Sequence, residues 1–199
     1  MIGHYCLMTL LITLCIVACG SEERVKHDQL SDQILSIERW PGEGVPVITW
    51  TGAETLMNVY ESAGDSTPAK SVTVAQNQRL EWDESLIKVR TPGRMEILED
   101  CILEAFVYDS LVQGKLAGGR ARQLNFSSGT ILEVVCYAAE GYYIFRHLGE
   151  YIEMEATHEC QRMITLPQTE WWVRVEESGR PAGWIRADNE NITVVDRKF

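Results

Sequence analysis

Apolar positions in this chain alternate in short runs more often than they recur at helical spacing. Val72-Thr73-Val74, Ile131 to Tyr137, Tyr142 to Arg146, Trp171 to Val175 and Ile192 to Val195 are rich in β-branched and aromatic residues, which favours strands. Between them stand turn signals: Ala63-Gly64-Asp65, Thr91-Pro92-Gly93, Leu148-Gly149-Glu150 and Ser178-Gly179-Arg180. Short strands at this spacing predict a mainly β protein built as small barrels or sandwiches. Two stretches depart from the pattern. Leu30, Ile34, Leu35 and Ile37 allow two turns of amphipathic helix. Ile97, Leu98, Cys101, Ile102, Ala105 and Phe106 make a helical stripe, yet Ala105-Phe106-Val107-Tyr108 is β-rich. For 97–112 both helix and strand stay open, with strand preferred because a hairpin pattern recurs around it.

The N-terminal pattern is of another kind. Residues 1–18 contain no Asp, Glu, Lys or Arg, and the run from Cys6 to Ala18 is 13 residues long. A spanning helix needs about 20 apolar residues, so this length fits the apolar region of a signal peptide. The run ends at Ile16-Val17-Ala18-Cys19-Gly20, and polar residues follow at once. These four residues, Ile16 to Cys19, resemble the lipobox of bacterial lipoproteins, although no Lys or Arg opens the segment. The resemblance implies cleavage after residue 18 and lipidation of Cys19. With Gly20 rather than Asp next, it also implies retention at the outer membrane, facing the periplasm. Residues 19–46 then read as a polar tether ending in the turn-forming Pro41-Gly42-Glu43-Gly44-Val45-Pro46.

Charge narrows the partners. The chain has 199 residues, 18 Lys+Arg against 29 Asp+Glu, and a net charge of -11. All of the charged side chains lie beyond residue 18. Nucleic-acid binding needs clustered cations, so nucleic acid is excluded as a partner.

A hairpin block recurs three times. Leu86–Leu98 is the first instance and Tyr142–Ile152 the second. The third runs from Trp171 through Ser178-Gly179-Arg180 to Gly183-Trp184-Ile185. Each block has a strand carrying Arg, a turn with Gly, and a returning apolar strand. The third block resembles the closing hairpin of bacterial SH3-like domains. Leu56–Tyr60 with Gly64 resembles their opening strand and loop, Val72–Trp82 the next two strands, and Ser128–Val135 a later segment. The first block departs from the family in having Ile97 where a Trp is usual, and Glu153–Thr169 has no counterpart. The resemblance implies two small SH3-like β-barrel units, 47–99 and 100–199, the second carrying an inserted hairpin or loop. It implies no cofactor, and recognition of peptidoglycan or of peptide segments.

Candidate chemistry is sparse. Trp171 and Trp172 point to opposite faces of a strand, so one is expected in the core and one exposed beside Tyr142 or Tyr143. Trp171, Trp172, Tyr142 and Tyr143 are therefore the candidate binding residues, with Trp184 expected in the core. A small barrel's interior would equally account for all three tryptophans. His158-x-Cys160 with His147 and Cys136 is too loosely spaced for a zinc site, and no metal is expected. Cys101, Cys136 and Cys160 remain in the exported part, where an oxidising compartment favours one bridge and one free thiol. Cys136–Cys160 closes the shortest loop and is the expected pair, worth roughly 3 kcal/mol by loop entropy. Cys136 should share a face with Leu132 and Val134. No catalytic motif such as G-x-S-x-G or H-E-x-x-H is present, so no catalytic residues are assigned. The expectation is a lipid-anchored, non-enzymatic envelope binding or scaffold protein, its partners the membrane and peptidoglycan or an envelope protein. Two alternatives are an accessory subunit of an outer-membrane assembly and a thiol-dependent enzyme using Cys101 or Cys136.

Overall fold

The computed structural model describes residues 35–39, 45–53 and 56–197. The lipobox with Cys19, and Leu30 and Ile34 of the possible helix, lie outside the described residues. The strands in chain order are β1 (Leu35–Ile37), β2 (Val45–Trp50), β3 (Leu56–Val59), β4 (Lys70–Thr73), β5 (Gln78–Leu80), β6 (Trp82–Thr91), β7 (Gly93–Ile97), β8 (Cys101–Tyr108) and β9 (Ser110–Val112). They continue as β10 (Lys115–Ala117), β11 (Arg120–Phe126), β12 (Ile131–Ala139), β13 (Tyr142–His147), β14 (Glu150–Glu155), β15 (Gln161–Thr165), β16 (Gln168–Glu177), β17 (Arg180–Arg186) and β18 (Ile192–Arg197). The protein is mainly β, as the alternation predicts, and the described residues include no helix.

Residues 93–165 form one antiparallel sheet of seven strands, in the order β11-β8-β14-β13-β12-β7-β15, with β9 and β10 as a separate two-stranded hairpin between β8 and β11. Its inward side chains share a single cluster: Met95 and Ile97, Leu103, Ala105 and Val107, Phe126, Leu132 and Val134, Phe145, Ile152 and Met154. The sheet therefore rolls around its own core, while β11 and β15 remain its two unjoined edges. On β8 the buried positions Leu103, Ala105 and Val107 alternate with the exposed Ile102, Glu104 and Phe106. That period of two decides 97–112 in favour of strand. Two-residue turns at Glu140-Gly141 and Leu148-Gly149 carry positive φ at both positions, the geometry that matches strand twist in tight hairpins.

The remaining strands come from both ends of the chain. The longest pairing joins β6 to β16, running from Gln168↔Thr91 to Val175↔Trp82. β1 and β17 flank this pair in a four-stranded sheet, and β18-β2-β5 and β3-β4 complete the region. Its core holds Ile48, Trp50, Met57, Val59, Trp171, Val173, Val175 and Ile185. A third cluster joins the two regions: Ile37, Ile87 and Val89 from one, and Val135, Cys136, Ala138 and Ile144 from the other.

This arrangement corrects several expectations. The sheets do not divide at 99/100, because β6 pairs with β16 and β2 with β18. The roll is instead inserted between the two halves of a composite region, 45–91 and 168–197, and among the described residues no sheet closes into a barrel. The first block is not a hairpin: β6 pairs with β1 and β16, whereas β7 pairs with β12 and β15. Pro92-Gly93 is thus a crossing, not a turn. A Cβ on Gly93 would sit 2.4 Å from the Thr165 carbonyl oxygen and 2.7 Å from Pro167 nitrogen, so only glycine lets the entering and leaving segments pass. The second and third blocks are true hairpins. β14 and β15, in the stretch without counterpart, are integral to the roll.

Leu35 to Ile37 is strand, not helix, and the end of the expected tether is locked into the fold. Ile37 is buried between the regions. The Arg39 guanidinium donates to both Glu153 carboxylate oxygens, at 2.9 and 3.1 Å, and Tyr108 donates to the same carboxylate. Burial pushes Glu153 upward, but the hydrogen bonds from Arg39 and Tyr108 outweigh it and hold the carboxyl below its ordinary 4.5.

Candidate functional site

β16 presents two faces, and both are covered along Trp171–Val173, which are all buried. Trp171, Val173 and Val175 enter the composite core. Glu170, Trp172 and Arg174 point to the opposite face, where the Tyr60–Ser66 loop lies across the sheet. Lys88 fastens that loop by donating to the Ala63 carbonyl. Ser62 N–H donates to the Asp65 carboxylate at 2.9 Å, and Gly64 takes φ +83° at the loop's tip. Between loop and sheet lies a recess of about 590 Å³, lined by Met57, Asn58, Tyr60, Asp65, Arg90, Glu170, Trp172, Arg186, Asn189 and Asn191 among others.

The floor of the recess is organised by Glu170. Its carboxylate accepts from the Trp172 indole N–H at 3.1 Å and lies 2.7 Å from the Arg90 guanidinium and 3.5 Å from that of Arg186. Arg90 reaches it because the β6–β16 register shifts between Gln168 and Thr169, which leaves Arg90 as the extra residue. Burial pushes Glu170 upward, but Arg90 and Trp172 outweigh it and keep the carboxyl below its ordinary 4.5. Arg186 is also gripped by Asp188 at 2.7 and 3.1 Å. The Tyr60 ring meets Trp172 edge-on, with centroids 5.3 Å apart. Among the lining residues two Arg, Arg90 and Arg186, are thus balanced by Glu170 and Asp65, and the Tyr60 ring and three Asn complete the wall. Such a lining suits a neutral, hydrogen-bonding ligand such as a glycan ring or a peptide backbone.

The candidate binding residues are not one surface. Trp171 is 8% exposed and Trp172 3% exposed, so neither is an open aromatic anchor. Trp171 donates its indole N–H to Ser85 at 2.8 Å. The expectation that one would be exposed fails because the loop covers the outer face of β16, which a bare hairpin would leave open. The core place expected for Trp184 belongs to its neighbour Ile185. Trp184 pairs with Arg174, so it shares the outer face and is half-buried against that guanidinium, 6.0 Å from ring centroid to carbon. Tyr142 and Tyr143 stand on β13 in the roll; Tyr142 is 41% exposed, and Tyr143 stacks edge-on against Tyr137.

The cysteines are also rearranged. The β12–β13 register shifts between Val134 and Cys136. Beyond that bulge, Val135, Cys136 and Ala138 face the junction between the regions, while Leu132 and Val134 face the roll's interior. Cys136 therefore does not share their face, and it is separated from Cys160, which belongs to the roll's core. The expected Cys136–Cys160 bridge is not formed, and the neighbour of Cys160 is Cys101. Among the described residues no group of three or more His, Cys, Asp or Glu side chains is placed to hold a metal ion. His147 packs on Phe126, and His158 lies against Cys160.

Tyr60, Arg90, Glu170 and Arg186 escape sequence reasoning because their partners are distant in the chain. The one local signal was Glu170 two positions from Trp172, the spacing that puts both on one strand face. Comparison with protein families, curated proteins and solved structures finds no match to this chain.

Proposed function

We propose that the chain is a lipid-anchored, non-enzymatic binding protein of the bacterial envelope, held by Cys19 at the outer membrane and facing the periplasm. Its ligand is peptidoglycan, bound in the recess between the Tyr60–Ser66 loop and β16–β17. The observation that carries this is the recess itself: a charge-balanced floor built on Glu170, an aromatic edge at Tyr60, and the Asn58, Asn189 and Asn191 amides at its walls. A glycan with short peptide stems presents the rings, amides and hydroxyls that such a lining can hold.

The resemblance to bacterial SH3-like domains supports the same assignment, in altered form. Two of the segments that carry it, Leu56–Gly64 and Trp171–Ile185, are adjacent in the composite region, where Tyr60 and Trp184 exchange backbone hydrogen bonds of 2.8 Å, and Val72–Trp82 lies there too, whereas Ser128–Val135 lies in the roll. The SH3-like unit is then one, assembled from 45–91 and 168–197, with the roll inserted into it. Against the thiol-enzyme alternative stands the state of the thiols. Burial pushes Cys101 and Cys136 up to about 12, which leaves almost no thiolate near neutral pH.

Fractionation and co-sedimentation test the proposal. The full chain should fractionate with membranes, and Cys19→Ser should release it. In mild detergent the wild type should co-sediment with purified sacculi, and Tyr60→Ala should weaken that binding about tenfold, the loss of one aromatic contact. Wild-type protein that stays in the supernatant overturns the ligand, and unchanged membrane association of Cys19→Ser overturns the anchor.

A further inference from the structure

The roll has a seam, and two thiols meet there. β8 and β15 are far apart in strand order, second and last of seven, yet curvature brings their starts together. Leu98, at the end of β7, donates its N–H to the Cys160 carbonyl at 2.8 Å, and Gln161 pairs with Ile97. Three residues after Leu98 the chain enters β8 at Cys101, whose side chain packs on the cluster that contains Cys160. The Cys160 side chain neighbours the Cys101 thiol and helps hold it protonated. Cys160 is fully buried, whereas Cys101 is partly exposed. The Nδ1 atom of His158 lies 3.1 Å from the Cys160 sulfur. The third thiol, Cys136, is buried in the junction between the regions.

We infer that Cys101 and Cys160 form a structural disulfide that closes the seam of the roll, with His158 as the proton acceptor for the buried thiol. The oxidant is a small or protein disulfide of the kind an oxidising compartment supplies. Cys101, the thiol that solvent reaches, loses its proton and attacks the donor's S–S bond, releasing one donor thiol and forming a mixed disulfide. Cys160 passes its proton to His158 and displaces the second donor thiol from Cys101. The pair is oxidised by two electrons and the donor disulfide is reduced to two thiols. Burial and the neighbouring Cys160 and acidic Glu99 and Asp100 hold the Cys101 thiol up at about 12. A thiol so unreactive suits a bridge formed slowly once, not an exchange catalyst. The bridge would tie β8 to the edge strand β15, and so hold an edge that backbone hydrogen bonds do not close. This inference is independent of the binding proposal and rests on the proposed export for its oxidant; oxidised glutathione, added in the test, separates the two.

The test uses the purified full chain in mild detergent, incubated folded with oxidised glutathione, alkylated and mapped by mass spectrometry. A Cys101–Cys160 linked peptide is expected in the wild type and in Cys136→Ser, and none in Cys101→Ser. His158→Ala should slow bridge formation several-fold; an unchanged rate removes His158 from the mechanism. Reducing the bridge should lower the melting temperature by about 10 °C, from the loop it closes, and should leave Cys101→Ser unmoved. Recovery of Cys101 and Cys160 both alkylated, a stable glutathione adduct on Cys101, or a bridge that includes Cys136 overturns the proposal.

Discussion

The roll and the composite region solve the same problem, burying the faces of antiparallel strands, from opposite starting points. The roll is one contiguous stretch of chain. Three of its six neighbouring strand pairs, β12–β13, β13–β14 and β8–β11, are joined by a tight turn or a short hairpin, and its inward residues make one apolar cluster. The composite region is sewn from two segments about 80 residues apart, and its central pair, β6 with β16, joins them. Its outer face is not simply solvated: it holds the Glu170 network, Lys88, Arg174 and two tryptophans under a loop. Local assembly produced an apolar core of a common kind. Long-range assembly produced the recess, because residues as distant as Tyr60, Arg90 and Arg186 can be brought to one place only across the closing of the fold.

The largest expected effect breaks the roll and asks whether the composite region follows. Five of the six tryptophans lie in the composite region and none in residues 93–165, so with Trp40→Phe as background tryptophan fluorescence reports the composite region and far-ultraviolet circular dichroism reports both. Phe145→Ala removes a fully buried side chain from the roll, at a cost of about 3–5 kcal/mol. Because Ile37, Ile87 and Val89 pack on Val135, Ala138 and Ile144, both probes should shift to the same lower midpoint. Separate midpoints would show two independent regions. Next in size, Ile185→Ala should cost about 2–5 kcal/mol in the composite core. Trp184→Ala, though it removes more atoms, should cost less, because its ring is half-buried and its main partner is the Arg174 cation, worth about 0.5–1 kcal/mol. Urea midpoints of the two variants check the order.

The junction is probed by acid. Glu153 is held below its ordinary 4.5 in the folded chain, by the hydrogen bonds from Arg39 and Tyr108 against its burial. A depressed carboxyl contributes stability that is present above 4.5 and is lost as pH falls through its lower folded value. Glu153→Gln should cost about 1.5–3 kcal/mol at neutral pH, the range for hydrogen bonds to a charged group. Its stability should also fall less steeply than the wild type's below pH 4.5; equal slopes would mean that the pair is broken in solution. The smallest effect belongs to the open surface of the composite sheet. Arg174 and Asp83 pair at 2.7 and 2.9 Å but are about one third exposed, so Asp83→Ala should cost no more than about 1 kcal/mol.

The same contrast explains what could be read from the residues alone. Hairpins were legible where a turn and both strands are contiguous in the chain, as at Leu148-Gly149 and Ser178-Gly179. Pro92-Gly93 carries a similar signal but is a crossing, since the partner of β6 lies beyond residue 168 and nothing near Thr91 reports it. Period-two alternation placed Trp171 and Trp172 on opposite faces, yet it could not show that the Tyr60–Ser66 loop covers the second. For Trp184 and Ile185 the phase was taken wrongly, because the register of β17 against Val173 and Arg174 was not known. Cys136 was misplaced by a bulge that adds one residue to β12 and leaves no mark in the apolar pattern. The Glu170 site was the least legible part, since Arg90 and Arg186 reach it from other strands.

The central claim is that recognition belongs to the composite region and the roll is its inserted support. A map of backbone amide shifts, recorded on the isotope-labelled full chain in detergent micelles while a soluble muropeptide is added, tests this directly. The recess predicts saturable shifts confined to the Asn58–Ser66 loop, Glu170 to Arg174 and Ile185 to Ile192, with the amides of β13 and β14 unmoved. Shifts centred on Tyr142, Tyr143 and their neighbours in the roll, with the recess silent, would contradict it.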